Sequence, residues 1–329
     1  MNGIPYPLLN KNEIQTKINE LASNDQPFIF IINYNADSGY VIPDNIIKDD
    51  YIRTSFAKKN EQLSKSKNPD WKVKAIDFEI YKSKFDYIKS EIQKGNSFLV
   101  NFTQPSEIDT NLTLDTIFDN SNAPYKLWVK NKFVVMSPET FITIDKVGVI
   151  RSNPMKGTID ANLPFADEII LNDLKEKAEH ATIVDLIRND LSMVATNVEV
   201  SRYRYIDRIE TNKGALLQVS SEISGQLAQN YKEKLGNIIM QLLPAGSISG
   251  APKPKTMEII KQSEQYDRGF YTGIFGKFDG QQLDSAVMIR FVEKINNKLY
   301  FKSGGGITAK SNCQSEYNEL IQKVYVPFY

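Results

Sequence analysis

The sequence predicts an α+β fold whose strands pair as antiparallel sheets. Strand-like runs are joined by short hairpin turns, helical stretches form separate blocks between the strand groups, and no break in composition divides the 329 residues. Hairpins join antiparallel strands, whereas parallel strands need a long crossover connection between them. We expect one large domain over residues 1–329, with 41% apolar residues to fill its core.

The first clear helix begins near Phe78. Apolar residues recur there at alternating spacings of three and four, which is the period of a buried helix face, and Gly95-Asn96 is a typical C-terminal stop. The residues on this face are Phe78, Tyr81, Phe85, Ile88 and Ile92. The polar, lysine-rich residues 58–70 before this helix are predicted to form a surface loop.

The remaining elements follow from apolar runs and turn signals. Strands are predicted at 98–102, 126–130, 132–136, 141–150, 271–278, 282–292 and 298–302. Asn131 and the pair Asp279-Gly280 mark hairpin turns between neighbouring runs. Helices are predicted at 165–191, 231–243, 252–266 and 315–324.

Charge and composition exclude several functional classes. Forty Lys plus Arg balance forty Asp plus Glu, so the chain lacks the basic field typical of nucleic-acid or anionic-membrane binding. One cysteine, Cys313, cannot form an internal disulfide, and one histidine, His180, argues against a His-rich zinc site or a Ser-His-Asp device. A metal here would be a hard cation held by carboxylates.

The chain shows no targeting or membrane signal. Its first residues lack the basic stretch and apolar block of a signal peptide, and the most apolar short run, 28–32, is too short to cross a bilayer. We expect a soluble cytoplasmic protein without a membrane or nucleic-acid partner.

Two pairs of glutamates are candidates for a cation site. Glu176 and Glu179, and likewise Glu316 and Glu319, are three residues apart on predicted helices, so both carboxylates of each pair share one face. The two pairs could meet around one Mg²⁺. On spacing alone the alternative stays open and is the commoner case, namely that each pair lies on a solvated helix surface with lysine partners.

Glycine segments and one lysine are further candidates. Gly246-Ser-Ile-Ser-Gly250-Ala-Pro-Lys253 precedes a predicted helix, and Gly304-Gly-Gly306 follows a predicted strand, so their backbone amides could approach an anion, although tight turns explain them as well. Lys156, in Pro154-Met-Lys-Gly-Thr158, is predicted to lie in a rigid turn. A nucleophilic amine would need burial or nearby cations to lower its pKa, and an exposed turn lysine is the alternative. His180 is interpreted as structural.

Taken together and in order, these motifs resemble those of the chorismate-utilising enzymes, in particular the aminodeoxychorismate synthase component I group. The matching blocks are Gly95-Asn-Ser-Phe-Leu-Val-Asn-Phe-Thr103, Ser137-Pro-Glu-Thr-Phe141, Pro154 to Thr158, Ala178-Glu-His-Ala-Thr-Ile-Val-Asp-Leu-Ile-Arg-Asn-Asp190, Gly246 to Lys253, Arg268-Gly-Phe-Tyr-Thr-Gly273, Ile289-Arg290, Gly304-Gly-Gly-Ile307 and Glu316-Tyr-Asn-Glu319. The resemblance implies two packed antiparallel sheets with helices outside, as in anthranilate synthase component I. Residues 90–329 would be the catalytic core and 1–90 a shortened variable N-terminal part.

The resemblance also implies site residues. Glu179 and Glu319 match direct Mg²⁺ ligands, and Glu176 and Glu316 match positions that reach the ion mainly through water. The other positions matched to the substrate are Thr158, Ser249, Tyr271, Arg290, Gly305, Gly306 and Lys323. Among these, Tyr271, Arg290 and the amide of Gly306 would hold the enolpyruvyl carboxylate of chorismate.

Lys156 distinguishes members of the family. Anthranilate synthases usually carry alanine at this position, whereas the lysine-type aminodeoxychorismate synthases use the amine as a nucleophile. Leu99 stands where isochorismate and salicylate synthases have a lysine that activates water, which disfavours that reaction. Gln218, in Leu216-Leu-Gln-Val-Ser-Ser221, replaces the usual histidine of the catalytic site and cannot shuttle a proton near neutral pH. Ser249 replaces the usual threonine and keeps its hydroxyl.

The resemblance therefore implies amination of chorismate to 4-amino-4-deoxychorismate, for para-aminobenzoate and folate synthesis. Ammonia would come from a separate glutamine amidotransferase subunit, because no amidotransferase motif surrounds Cys313. Two alternatives stay open. One is anthranilate synthase component I, which Lys156 argues against, and the other is a catalytically weak chorismate-binding regulatory protein, suggested by Gln218.

Overall fold

The computed structural model describes residues 4–56, 70–211 and 214–327. The side chains of residues 156, 175, 209–211 and 214 lie outside this description, as does the loop predicted over 58–70 except for Asp70. The described residues form two antiparallel sheets flanked by helices, which confirms the predicted α+β class.

The strands belong to a ten-stranded and an eight-stranded sheet. In chain order they are β1 (Leu9–Asn10), β2 (Phe28–Ile32), β3 (Ser38–Pro43), β4 (Ile52–Ser55), β5 (Trp71–Lys74), β6 (Leu99–Thr110), β7 (Tyr125–Val129), β8 (Phe133–Ser137), β9 (Thr140–Ile144), β10 (Val149–Ser152), β11 (Met155–Asp160), β12 (Thr196–Thr211), β13 (Gly214–Gln226), β14 (Gly250–Ala251), β15 (Ile274–Phe278), β16 (Leu283–Val287), β17 (Phe291–Ile295) and β18 (Lys298–Thr308). The larger sheet has the order β1-β3-β2-β15-β16-β9-β10-β13-β11, with β12 also paired to β13. The smaller sheet has the order β14-β6-β18-β17-β8-β7-β4, with β5 also paired to β6.

The α-helices lie outside these sheets. They are α1 (Lys11–Ser23), α2 (Phe78–Gln93), α3 (Leu114–Asn120), α4 (Ala166–Asn172), α5 (Leu174–Ser192), α6 (Leu235–Leu242), α7 (Lys253–Glu264) and α8 (Cys313–Gln322). Within the described ranges, no helix combines the length and the apolar character that a membrane span requires.

Alternation along the strands explains how the layers pack. In β2, Phe28, Phe30 and Ile32 belong to the cluster shared with α1, α5 and α6, whereas Ile29 and Ile31 belong to the cluster between the two sheets. Successive side chains of a strand point to opposite faces, so a strand buried on both sides reads as a continuous apolar run. The strands β1, β2 and β3 belong to the larger sheet, and β4 and β5 belong to the smaller one, so the described N-terminal strands share these sheets with the motifs further along the chain.

Several predicted elements are divided in the structure. Residues 141–150 form β9 and β10, because Asp145 accepts backbone hydrogen bonds from Val147 and Val149 in a turn. Residues 165–191 form α4 and α5, because the Asp173 carboxylate caps the second helix at the Glu176 amide. Residues 282–292 form β16 and β17, which lie in different sheets.

Two further predictions are corrected, one for the glycine run and one for Lys156. Gly304 to Gly306 lie inside β18, paired with β6, and do not follow a strand. Lys156 lies in β11, paired with Val219 of β13, and not in a turn. The long hairpin of β12 and β13 is absent from the predicted strands, since its charged, alternating sequence resembles that of a solvated segment.

A buried ion pair connects α7 to the smaller sheet. Arg268 Nη2 lies 2.6 Å from Glu264 Oε1, and both side chains are about 1% exposed. Glu264 Oε1 also accepts hydrogen bonds from the backbone amide and hydroxyl of Thr103, each at 2.8 Å. Arg268 donates to the carbonyl groups of Ile248 and Asn101. The pair therefore joins the end of α7 and the loop that follows it to β6 and to the Gly246–Lys253 segment.

We expect the Arg268→Met variant to lose about 3–5 kcal/mol of unfolding free energy, because it leaves the Glu264 carboxylate buried without its partner. Urea denaturation at pH 7, followed by circular dichroism, measures this loss. Lys82 and Asp86 form an ion pair of the same i,i+4 spacing on the exposed face of α2, so Lys82→Met is the matched control and should show no measurable change. Equal stabilities of the two variants would contradict the role given to the buried pair.

Candidate active site

The glutamate pair of α8 lies against a glycine of β18. A Cβ atom placed on Gly305 would lie 3.4 Å from Glu319 Oε1 and 3.5 Å from Glu316 Oε2. These distances are those of ordinary van der Waals contact, so both carboxylates lie directly against the strand. The structure thus brings Gly305, Glu316 and Glu319 together, and their contacts with a metal or a substrate stay a prediction.

Two cations complete this cluster. Lys323 Nζ lies 2.6 Å from Glu319 Oε1 and donates a 3.0 Å hydrogen bond to the Gly304 carbonyl. Arg290 Nη1 donates to the Lys323 carbonyl at 2.9 Å. Arg290 also has a left-handed backbone (φ +52°) at the point where the chain passes from β16 to β17. Arg290 and Lys323 therefore place positive charge beside the α8 carboxylates.

Tyr271 is buried between the sheets. Burial raises the pKa of its hydroxyl, and the positive charges of Arg268 and Arg290 oppose this rise. The Tyr271 hydroxyl consequently stays protonated at neutral pH, and its contact with a substrate stays a prediction.

The second glutamate pair lies on α5, near β11. Glu176 Oε2 would be 3.4 Å from a Cβ atom on Gly157, which has φ +76°. The register of β11 against β13 shifts between Lys156 and Thr158, so Gly157 is the extra residue of a β-bulge. Thr158 is exposed, and Gln218, opposite Thr158 in the ladder, is buried. The bulge places the Glu176 carboxylate beside the residue that follows Lys156.

His180 has a structural role, in agreement with its interpretation from the sequence. It is buried, and its Nε2 is hydrogen-bonded to Ser221 Oγ at 2.7 Å. The Ser221 amide in turn donates to the Pro154 carbonyl at 3.0 Å. His180 and Ser221 therefore attach α5 to the strand that carries Lys156.

The Gly246–Lys253 segment is attached to the other end of α5. Lys253 Nζ lies 2.6 Å from Asp190 Oδ2, and burial raises the pKa of Asp190 while Lys253 lowers it. Ser249 is fully buried and its hydroxyl donates to the Ala245 carbonyl at 3.0 Å, so its contact with a substrate stays a prediction. The sequence did not identify the Asp190–Lys253 pair, because 63 residues separate its members.

The carboxylates suit a hard cation in chemistry, but they are not assembled into one cluster. Among the described residues, no group of three or more His, Cys, Asp or Glu side chains is close enough to hold a metal ion. The α8 pair converges at Gly305 and Glu176 lies at Gly157, so each location offers carboxylate oxygens. The four-glutamate Mg²⁺ site therefore stays a prediction.

Of two cavities in the described part of the chain, one lies close to predicted site residues and the other does not. One of about 20 Å³, enough for a single water, lies among Pro154, Asp190 and Ser247, close to the Lys156 strand. The other, of about 600 Å³, lies near Trp128 and Lys298, and none of the predicted site residues lines it.

Comparisons with known proteins show the family to which this chain belongs. A family model described as chorismate binding enzyme matches residues 21–328. A Haemophilus influenzae protein named "uncharacterized PabA-like protein" is 49% identical over 311 residues, which cover 94% of each chain. The aminodeoxychorismate synthase component 1 of Salmonella typhimurium is 31% identical over 74% of this chain and 56% of its own length. The anthranilate synthase component I structure from Streptococcus pneumoniae matches with a TM-score of 0.67 and 26% identity, over 80% of this chain and 60% of that one.

The positions of Gly304 and Gly305 in β18 can be tested by substitution. A Cβ atom on Gly304 would lie 2.1 Å from the Phe102 carbonyl oxygen, so we expect Gly304→Ala to displace β6 and to cost about 1–3 kcal/mol or more of unfolding free energy. Gly305→Ala meets only the ends of two glutamate side chains and should cost less than about 1 kcal/mol. Urea denaturation of both variants measures the difference. The reverse order of stability would show that the two glycines are wrongly placed.

Proposed function

The chain belongs to the family of chorismate binding enzymes, and we propose that it is an aminodeoxychorismate synthase component I, which converts chorismate and ammonia to 4-amino-4-deoxychorismate and water. The presence of Lys156 is the observation that favours this activity over the others in the family. This residue stands in the Pro154-Met-Lys-Gly-Thr158 motif on β11, immediately before the bulge that faces the Glu176 carboxylate. The 31% identity to the Salmonella protein of this activity supports it.

Cationic and hydrogen-bonding groups would bind the enolpyruvyl carboxylate of the substrate. Arg290 offers a planar guanidinium fork, and the protonated Tyr271 hydroxyl and the Gly306 amide can donate hydrogen bonds. Lys323 adds a cation already held beside Glu319. These groups would fix the ring so that its C2 and C4 atoms face β11.

The four glutamates would hold Mg²⁺, and this ion would supply positive charge for the ring carboxylate of chorismate. Glu179 and Glu319 would bind it directly, whereas Glu176 and Glu316 would do so mainly through water. The carboxylate oxygens at Gly157 and Gly305 are the observed features that fit this assignment.

Lys156 would then act as the nucleophile. Its neutral amine forms a bond to C2 and loses a proton, both double bonds of the ring shift by one position, and the C4–O bond breaks as the hydroxyl takes up a proton and leaves as water. Ammonia next forms a bond to C4 and loses a proton, both double bonds shift back, and the C2–N bond breaks as the Lys156 nitrogen takes up a proton and leaves as the free amine. The enolpyruvyl group is retained, and a separate glutamine amidotransferase subunit would supply the ammonia. Gln218 can orient groups by hydrogen bonds but cannot carry the protons.

Anthranilate synthase component I is the second candidate, favoured by the structural similarity to the Streptococcus pneumoniae protein. That reaction would release pyruvate and form a fluorescent aromatic product. A regulatory protein that only binds chorismate would form neither product.

We expect purified protein to form 4-amino-4-deoxychorismate from chorismate, Mg²⁺ and an ammonium salt at alkaline pH, as identified by mass spectrometry. Lys156→Ala should abolish or divert this product because the nucleophile is missing, while its Mg²⁺ affinity stays nearly unchanged. Lys177→Ala, on the exposed surface of α5, is the control and should retain full activity. Bound but unconverted chorismate would refute the enzyme, pyruvate release would indicate the anthranilate reaction, and wild-type rates in Lys156→Ala would exclude this nucleophile.

The metal site can be tested separately from turnover. Electron paramagnetic resonance should detect Mn²⁺ binding in place of Mg²⁺, with and without chorismate. We expect Glu319→Gln to weaken this binding at least about tenfold, because a direct ligand loses its charge. Glu233→Gln, at an exposed carboxylate distant in sequence from these helices, should bind Mn²⁺ as the wild type does. Equal affinities in both variants would remove Glu319 from the metal site.

A further inference from the structure

We propose that Asn101 is a substrate-binding residue whose side-chain carbonyl accepts a hydrogen bond from the C4 hydroxyl of chorismate, and from the amino group that replaces it. This inference rests on the proposed function, because it takes chorismate as the ligand. It adds a residue that recognises the reacting carbon, whereas the residues above bind the two carboxylates.

The backbone of Asn101 contacts three segments that carry predicted site residues. Its amide donates to the Ser249 carbonyl at 2.8 Å, and its carbonyl accepts from Arg268 Nη2 at 2.8 Å. In the ladder between β6 and β18, Asn101 is paired with Gly306. Both backbone polar groups are therefore satisfied, and the position of the residue is fixed from three sides.

The side chain of Asn101 differs from its backbone in this respect. Its Oδ1 atom is buried and has no hydrogen-bond partner in the described part of the protein. Buried carbonyl groups in folded proteins almost always accept a hydrogen bond, so an unpaired one next to a binding site indicates a donor that arrives from outside the chain.

The partner of Asn101 across the ladder leaves room for such a donor. Directly opposed residues of antiparallel strands lie on the same face of the sheet. Here the opposed residue is Gly306, which has no side chain to fill the space beside the Asn101 amide. Gly306 is also the residue whose backbone amide is assigned to the enolpyruvyl carboxylate, so a ligand held there would lie next to Asn101.

The chemistry of chorismate determines which of its groups can fit. At neutral pH its two carboxylates and its enol ether oxygen only accept hydrogen bonds, and its hydroxyl is the one group that donates. The amino group of the product donates from the same carbon. An amide carbonyl accepts from either group without adding negative charge, whereas an aspartate at position 101 would repel a dianion.

The test compares chorismate binding, without ammonium, in the wild type and in Asn101→Leu, by isothermal titration calorimetry. Leucine keeps the size of the side chain and removes the acceptor, so we expect the Kd to rise about tenfold, the effect of one neutral hydrogen bond. Ser106→Ala is the matched control. It removes another buried, unpaired oxygen from the same strand, opposite Phe301, and should change the Kd less than twofold.

A chorismate analogue with hydrogen at C4 gives a second measurement that does not depend on the folding of a variant. The wild type should bind it about tenfold more weakly than chorismate, and Asn101→Leu should bind the two ligands equally. Equal binding of both ligands by the wild type, or an unchanged Kd in a folded Asn101→Leu protein, would overturn the assignment and leave a bound water as the partner of Oδ1.

The outcomes separate this inference from the proposed function. If the wild type binds chorismate but forms anthranilate, the amination proposal fails while the Kd ratios still decide the role of Asn101. If the wild type binds no chorismate, both proposals are overturned together.

Discussion

The arrangement of the site depends on the buried ion pair between Glu264 and Arg268. Two charges removed from water are tolerated only when each finds opposite charge and further hydrogen bonds, and here Thr103, Ile248 and Asn101 supply the latter. The donors and acceptors come from α7, β6, the Gly246–Lys253 segment and the loop before Tyr271. A shift of any of these elements would leave a buried charge without a partner in an apolar environment. The pair thus fixes elements that carry several of the predicted site residues.

The predicted site residues come from both sheets. Lys156 and Gln218 belong to the ten-stranded sheet, whereas Gly305 and the α8 carboxylates belong to the half of the molecule built on the eight-stranded sheet. Each sheet carries a local irregularity at predicted site residues, a bulge at Gly157 in one and a run of glycines in the other. Regular strands would have filled both places with side chains. The irregular positions are thus where backbone and carboxylates can approach a ligand.

The sequence predicted the fold class and most elements, but not where long segments divide. Periodicity and turn pairs locate α2 and the hairpin of β7 and β8 because these signals are local. The passage from β16 to β17 depends on a left-handed arginine, Arg290, and the start of α5 depends on a cap by Asp173, and neither interrupts the apolar pattern. The site residues were identified by resemblance to a family. The sequence alone could not predict pairs such as Asp190 and Lys253, because their members meet only in the tertiary fold.

The polar groups of the site can be sorted by the charge that they would meet. The net charge of the chain is zero, yet Arg290 and Lys323 place cations where an anionic carboxylate would lie, and the α8 glutamates beside them concentrate negative charge for a cation. The one histidine, His180, connects α5 to β13 through its hydrogen bond with Ser221. The two amides proposed for the neutral part of the ligand, Gln218 and Asn101, form hydrogen bonds without changing charge. In the proposed function, charged groups would therefore bind the charged ends of the ligand, and neutral amides would bind its ring.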